Sequence, residues 1–177
     1  MFENINALIE KYEFDDYKWI KSETIEVKQW VRFKCMLTCD TYGTNAICPP
    51  NMPSIDECKR FFSEYEDVVL IRMEKPAASG ERDPELFKQI DENLLQLEKE
   101  IFYAGYYKVI ALPATICYLC QSCPEERSAC YEKSSSRPTP EALGVDLFET
   151  AWRANYPVEV LKDYSGIQNR YALIMIN

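Results

Sequence analysis

The chain has 177 residues, 47% apolar and 28% charged with only 5 Gly, which is one domain's worth of length and an ordinary globular composition. Those values exclude a collagen-like, disordered or linker-dominated chain. Its 20 basic residues against 29 acidic ones leave a net charge of −9, a poor match for phosphate-rich partners, so neither nucleic acid nor an anionic membrane is an expected partner.

Taken from the start, Met1 to Asn4 has neither the basic nor the apolar segment of a secretory signal. Ile5, Leu8 and Ile9 are spaced for a short N-terminal helix. Ile25, Val27, Val31 and Phe33 alternate with polar residues, which predicts one strand, or two short ones, between Thr24 and Lys34. Cys35 to Pro53 reads as loop. Ser54 and Glu57 form a capping box for a helix carrying Ile55, Cys58, Phe61, Phe62 and Tyr65.

Val68 to Met73 reads as a buried strand, and Ala78 to Arg82 as a loop. Asp83-Pro84 then opens the longest helix, with a stripe of Leu86, Ile90, Leu94, Leu97, Ile101 and Ala104, and Gly105 closes it. Val109 to Leu112 is another short strand. Thr139 to Glu141 starts a short helix ended by Gly144, and Asp146 with Glu149 starts a further one through Trp152. Pro157 to Leu161 and Arg170 to Ile176 read as closing strands, paired as a hairpin across Asp163 to Asn169. The alternation of strands and helices predicts a single α/β domain over residues 1–177, with a central mixed sheet flanked by helices and two cysteine-rich metal-binding loops.

The chain contains no histidine and 8 cysteines. Without histidine there is no Ser-His-Asp triad, no Cys-His dyad and no mixed Cys/His zinc finger. No apolar run approaches the ~18 residues of a membrane span. A cytoplasmic location is the expectation, and clustered cysteines in that compartment read as metal ligands or redox thiols, since disulfides are rare there.

Cys117, Cys120 and Cys123 form a C-x2-C-x2-C run, with Cys130 after six further residues. This is the triple spacing with which ferredoxins hold a [4Fe–4S] cluster. Two-residue gaps let the chain wrap one corner of a cubane while its N–H groups face the cluster. Zinc needs only four sulfurs at ~2.3 Å, usually from two separate knuckles, so zinc is the alternative. Unliganded thiols, with Cys117 and Cys120 as a C-x-x-C redox pair, come third.

The earlier group is Cys35, Cys39 and Cys48, with Pro49 and Pro50 following. A proline after a ligand cysteine stiffens the exit from a metal loop. Cys58 is in phase with the apolar face of its helix and reads as core. Seven candidate ligands remain. If the late four make a closed set, the early three leave one position open, beside Asp40. Cys48 could instead complete the late triple, leaving Cys130 with Cys35 and Cys39; spacing alone leaves both partitions open.

Among the other residues, Arg137 is either a counter-charge for a thiolate cluster or, preferably, a solvated loop arginine. Tyr118 and Tyr131 either shield a cluster or fill the core. Glu98-Lys99-Glu100 reads as a solvated helix face. No GxGxxG or Walker A pattern is present, so no nucleotide site is expected.

Arg32-Phe33-Lys34-Cys35, Cys39, Tyr42-Gly43 and Cys48-Pro49-Pro50, followed by Cys117 to Pro124, Cys130, Arg137 to Ala142 and Gly144 to Phe148, resemble the two motifs of a known family. It is the family of cysteine-rich "predicted metal-binding proteins", found largely in anaerobic bacteria and archaea. The resemblance covers roughly residues 30 to 176. It implies that Cys35, Cys39, Cys48, Cys117, Cys120, Cys123 and Cys130 bind a metal or an iron–sulfur cluster, and it implies no particular reaction. Thr139 stands where the family usually has Ser, and either residue can cap the short helix. The function expected is therefore iron–sulfur binding with an electron-transfer or accessory redox role, toward a redox partner protein or a small-molecule substrate. A zinc-stapled structural module is the alternative.

Overall fold

The computed structural model describes residues 2–76, 84–160, 162 and 167–177. Four strands, β1 (Asp16–Lys21), β2 (Asp67–Pro76), β3 (Ile110–Leu112) and β4 (Ile167–Met175), make one sheet in the order β1-β2-β4-β3. Among the described residues five helices accompany it: α1 (Glu3–Ile9), α2 (Gln29–Thr38), α3 (Ile55–Ser63), α4 (Pro84–Tyr103) and α5 (Leu147–Arg153).

The expected α/β architecture with a central, helix-flanked sheet is what the chain forms. Every pairing is antiparallel, however, where a mixed sheet was expected. The reason lies in the last strand. The α4 crossover brings β3 back in the direction of β2, as in a βαβ unit. A gap one strand wide is left between them, and β4 fills it running opposite to both. β4 pairs with β2 from Val68↔Met175 to Pro76↔Ile167, and with β3 from Ile110↔Met175 to Leu112↔Leu173.

Because β4 is central, both of its faces must be covered, and Tyr171 to Ile176 is buried without interruption. Alternate residues serve two cores. Tyr171, Leu173 and Met175 pack with Leu70, Cys58 and Phe62 of α3, Val145, Leu147 and Tyr156. Ala172, Ile174 and Ile176 pack with Val69 and Ile71, with Ile5 and Ile9 of α1, and with Leu94, Leu97 and Ile101 of α4. These three α4 residues are the expected stripe. Ala104 lies past the helix and is exposed. The Leu86 side chain, the Asp83 cap and the loop of Ala78 to Arg82 lie outside the described residues.

Local signals hold at most helix ends. Ser54 and Glu57 form the capping box, the Asp146 side chain accepts from the Glu149 N–H at 3.1 Å, and Gly105 takes φ +106° beyond α4. Gly144 ends the short turn Glu141–Leu143 at φ +85°. Its carbonyl accepts from the Lys28 N–H at 2.8 Å, and the Asp146 N–H reaches the Glu26 carbonyl at 2.7 Å, which pairs Val27 with Val145.

Two element readings are corrected, and one strand was not anticipated. Only the start of the expected strand from Thr24 to Lys34 is extended; from Gln29 onward the chain is α2, with Val31 on its buried side. Pro157 to Val160 forms no strand, so no closing hairpin pairs it with β4; Leu161 and Asp163 to Gly166 lie outside the described residues. The edge strand β1 carries no strong alternation, since Asp16 to Ile20 is uniformly half-buried. It is held by Trp19, which stacks on Phe2 at 3.9 Å and donates to Asn6 Oδ1 at 2.8 Å.

Candidate metal centre

Both cysteine groups lie beyond the end of the sheet where β3 stops. The early group begins inside α2, not in a loop as expected. Cys35 and Cys39 are one helical turn apart, and the Cys39 N–H caps the helix on the Cys35 carbonyl at 3.1 Å. Thr41 then turns back, its hydroxyl 3.1 Å from Cys39 Sγ.

The following loop is fastened by short polar contacts. The buried Asn45 accepts the Cys48 N–H on its carbonyl at 3.1 Å, and its side chain takes the Ile47 N–H at 3.1 Å. Gly43, at φ +73°, donates to the Pro49 carbonyl at 3.0 Å. Burial pushes the Cys48 thiol up to about 11; a hydrogen bond from Thr41 opposes this, while Cys39, Cys35 and Cys123 push the same way. Burial, with Cys39 and Glu141 adding to it, also raises Cys35.

The late group is one loop after β3. Cys117, Cys120 and Cys123 follow within a few residues, and Cys130 comes directly after the turn Arg127–Ala129. Burial raises Cys117, and Cys123, Cys120 and Cys130 raise it further. Burial likewise raises Cys120, with Glu132, Cys130 and Cys123 contributing. These four thiols therefore share one neighbourhood.

Cys130 is the exception in sign. Burial works against its thiolate, yet the Ser136 hydroxyl at 3.5 Å, the backbone beside Glu132 and the Arg127 guanidinium together hold its pKa below the ordinary thiol value. Arg127 is fixed for this purpose, donating to the Ser136 hydroxyl and to the Lys133 carbonyl at 2.9 Å. Sequence reading overlooked Arg127, although its position between Cys123 and Cys130 was the available signal.

Chain segments some 70 residues apart are thus laid side by side. The Ala46 N–H points at Cys123 Sγ from 3.4 Å, across 77 residues of sequence. Asn51 bridges the loops as well, donating to the Asn45 carbonyl at 3.2 Å and to the Glu125 carbonyl. Among the described residues, no three Cys, Asp or Glu side chains already stand around one point at metal-bonding distance.

Asp40 is exposed and borders the same cleft as Cys35, Cys39 and Cys48. Cys58 is 1% exposed in the core, with Arg32 Nη2 at 3.5 Å from its sulfur, as its helix phase predicted. Tyr118 borders the clefts beside both cysteine groups, whereas Tyr131 is 75% exposed and neither shields nor fills anything.

Two charged residues depart from expectation. Glu98 is buried rather than solvated, because Arg137 reaches it from the late loop: Nη2 to Oε1 at 2.7 Å and Nε to Oε2 at 3.2 Å. The same Oε2 accepts the Ala111 N–H of β3 at 2.8 Å. Arg137 also donates to the Ser134 carbonyl at 2.8 Å, so it is a clamp between α4, β3 and the late loop. Two turns earlier on α4, Asp91 accepts from the Thr115 hydroxyl at 2.6 Å; burial pushes its carboxyl up to about 7 against that bond.

Residues 18–176 match the family described as "Predicted metal-binding protein" (DUF2284). The chain belongs to that family. No curated protein and no solved structure matched the chain. No helix among the described residues is long and apolar enough to cross a membrane.

The donor set fits a thiophilic metal: sulfur is the only soft ligand type here, and the chain has no imidazole. Crowding of thiols also fits, since neighbouring thiolates repel one another and a bound cation relieves that repulsion. Family membership and this chemistry make the chain a cysteine-rich metal-binding protein.

Proposed function

We propose that the protein binds an iron–sulfur cluster of the [4Fe–4S] type through Cys117, Cys120, Cys123 and Cys130, and serves redox metabolism as an electron-transfer or accessory protein. The observation that carries this reading is the placement of these four cysteines on the one stretch that follows β3, three of them at two-residue spacing. Cys130 interacts with Cys117 and Cys120, while the leading thiol neighbours of Cys48 are Cys39 and Cys35.

A cluster held there supplies one-electron chemistry. Arg127 offsets thiolate charge at Cys130, and the Ala46 N–H offers Cys123 Sγ the kind of hydrogen bond that tunes such sulfurs. Cys35, Cys39 and Cys48 form the second set, one sulfur short, with Asp40 as the oxygen donor at hand. The net charge of −9 suits docking to a basic face of a cytoplasmic redox partner.

The test is purification without oxygen, with iron, zinc and acid-labile sulfide measured per chain. Brown protein absorbing near ~400 nm, with about four irons and four sulfides, is expected. Cys117→Ala should remove them. Stoichiometric zinc without sulfide would replace this reading with a structural zinc module, in which a strong chelator melts the fold.

A further inference from the structure

A cavity of about 590 Å³ opens between α2, α5 and the segment of β4 that runs past the end of β3. Its volume lies within the range of small-molecule sites. Apolar side chains make most of its wall, among them Trp30, Val145, Leu147 and Val158. It meets the cleft of about 330 Å³ beside the early cysteines, because Cys35, Cys39 and Glu141 border both.

Two polar atoms on residues lining it are buried without a hydrogen-bond partner among the described residues: the Tyr171 hydroxyl and Glu141 Oε2. Tyr171 is only 6% exposed. Buried polar atoms are almost always paired, by protein, water or ligand, and leaving one bare is costly. Charges along the wall do not favour an ion of either sign, with Lys34 and Arg170 set against Glu141, Asp146 and Glu159.

We infer that this cavity binds a small neutral organic molecule with an apolar body and a hydroxyl or carbonyl oxygen, anchored by the Tyr171 hydroxyl. The apolar body lies against Trp30, Leu147 and Val158, and the oxygen end satisfies the unpaired hydroxyl. The inference goes beyond the metal reading and needs only the cavity and its two bare polar atoms.

The experiment is titration calorimetry of the protein as isolated without oxygen, using 4-propylphenol as the probe. Saturable binding at one site per chain is expected. Tyr171→Phe, nearly isosteric, should weaken it roughly tenfold, the value of one buried hydrogen bond. Val158→Trp, which fills the cavity from its half-buried rim, should abolish it, with circular dichroism confirming the fold. No saturable heat up to millimolar probe, or unchanged binding by Val158→Trp, overturns the site. Affinity of Tyr171→Phe within about twofold of the parent overturns the anchor.

Metal content measured on the same samples separates the two readings. Absent probe binding with iron retained sinks only the cavity site. Probe binding with iron absent sinks only the cluster.

Discussion

Replacing Arg137 by alanine removes several anchors at once. The side chain bridges Glu98 through two contacts, at 2.7 and 3.2 Å, and holds the Ser134 carbonyl at 2.8 Å. Side-chain exposures of 23% for Arg137 and 12% for Glu98 place this pair beneath the exposed regime in which ion pairs are worth little. Removing one partner of a buried pair costs about 3–5 kcal/mol, because the other charge is stranded. The remaining exposure and the retained bond from Ala111 N–H to Glu98 reduce this to about 2–3 kcal/mol.

For a chain of this size that corresponds to a fall in Tm of roughly 5–10 °C. Calorimetry or urea unfolding of Arg137→Ala reads it directly. Glu98→Gln should cost less, and the double variant should recover part of the loss, since no charge is then left stranded. A Tm for Arg137→Ala within about 1 °C of the parent would refute the clamp.

Asp91→Asn tests the raised carboxyl at about 7. Ionisation disfavoured in the fold means stability is fully present below the unfolded-state value and is lost as pH rises from about 4 to about 7. The shift sets a ceiling near 4 kcal/mol, and partial exposure brings it to about 2 kcal/mol; the variant should be that much more stable than the parent at pH 8 and equal to it near pH 4, as read from Tm against pH. Gly144→Ala should lower stability by about 2–3 kcal/mol, because φ is +85° and the added Cβ meets Ile55 Cδ1, with chemical denaturation as the measure. Cys58→Ala should cost about 1 kcal/mol in the same assay and leave metal content unchanged, whereas loss of metal would make Cys58 a ligand.

Much of this protein was legible before any fold was known. The absence of histidine and the spacing of Cys117, Cys120, Cys123 and Cys130 already pointed to the metal-binding family to which the chain belongs. Caps and periodicity located α3, α4 and α5, because a capping box or an N-cap is satisfied by atoms three residues away. Cys58 was read as core from helix phase alone. Elsewhere local pattern misled. Val31 and Phe33 continued an apparent alternation, yet the C-x3-C spacing of Cys35 and Cys39 was itself a helical interval and argued for α2.

The chain's local chemistry therefore determined which side chains are candidate ligands and where most helices begin, since both depend on neighbours a few residues apart. Only tertiary structure decided that β4 would slot between β2 and β3, that Glu98 would be buried against Arg137, and that Ala46 would face Cys123. Each of those choices is a pairing between distant segments. Its stability comes from burying both faces of the sheet at once, and no spacing along the chain encodes that.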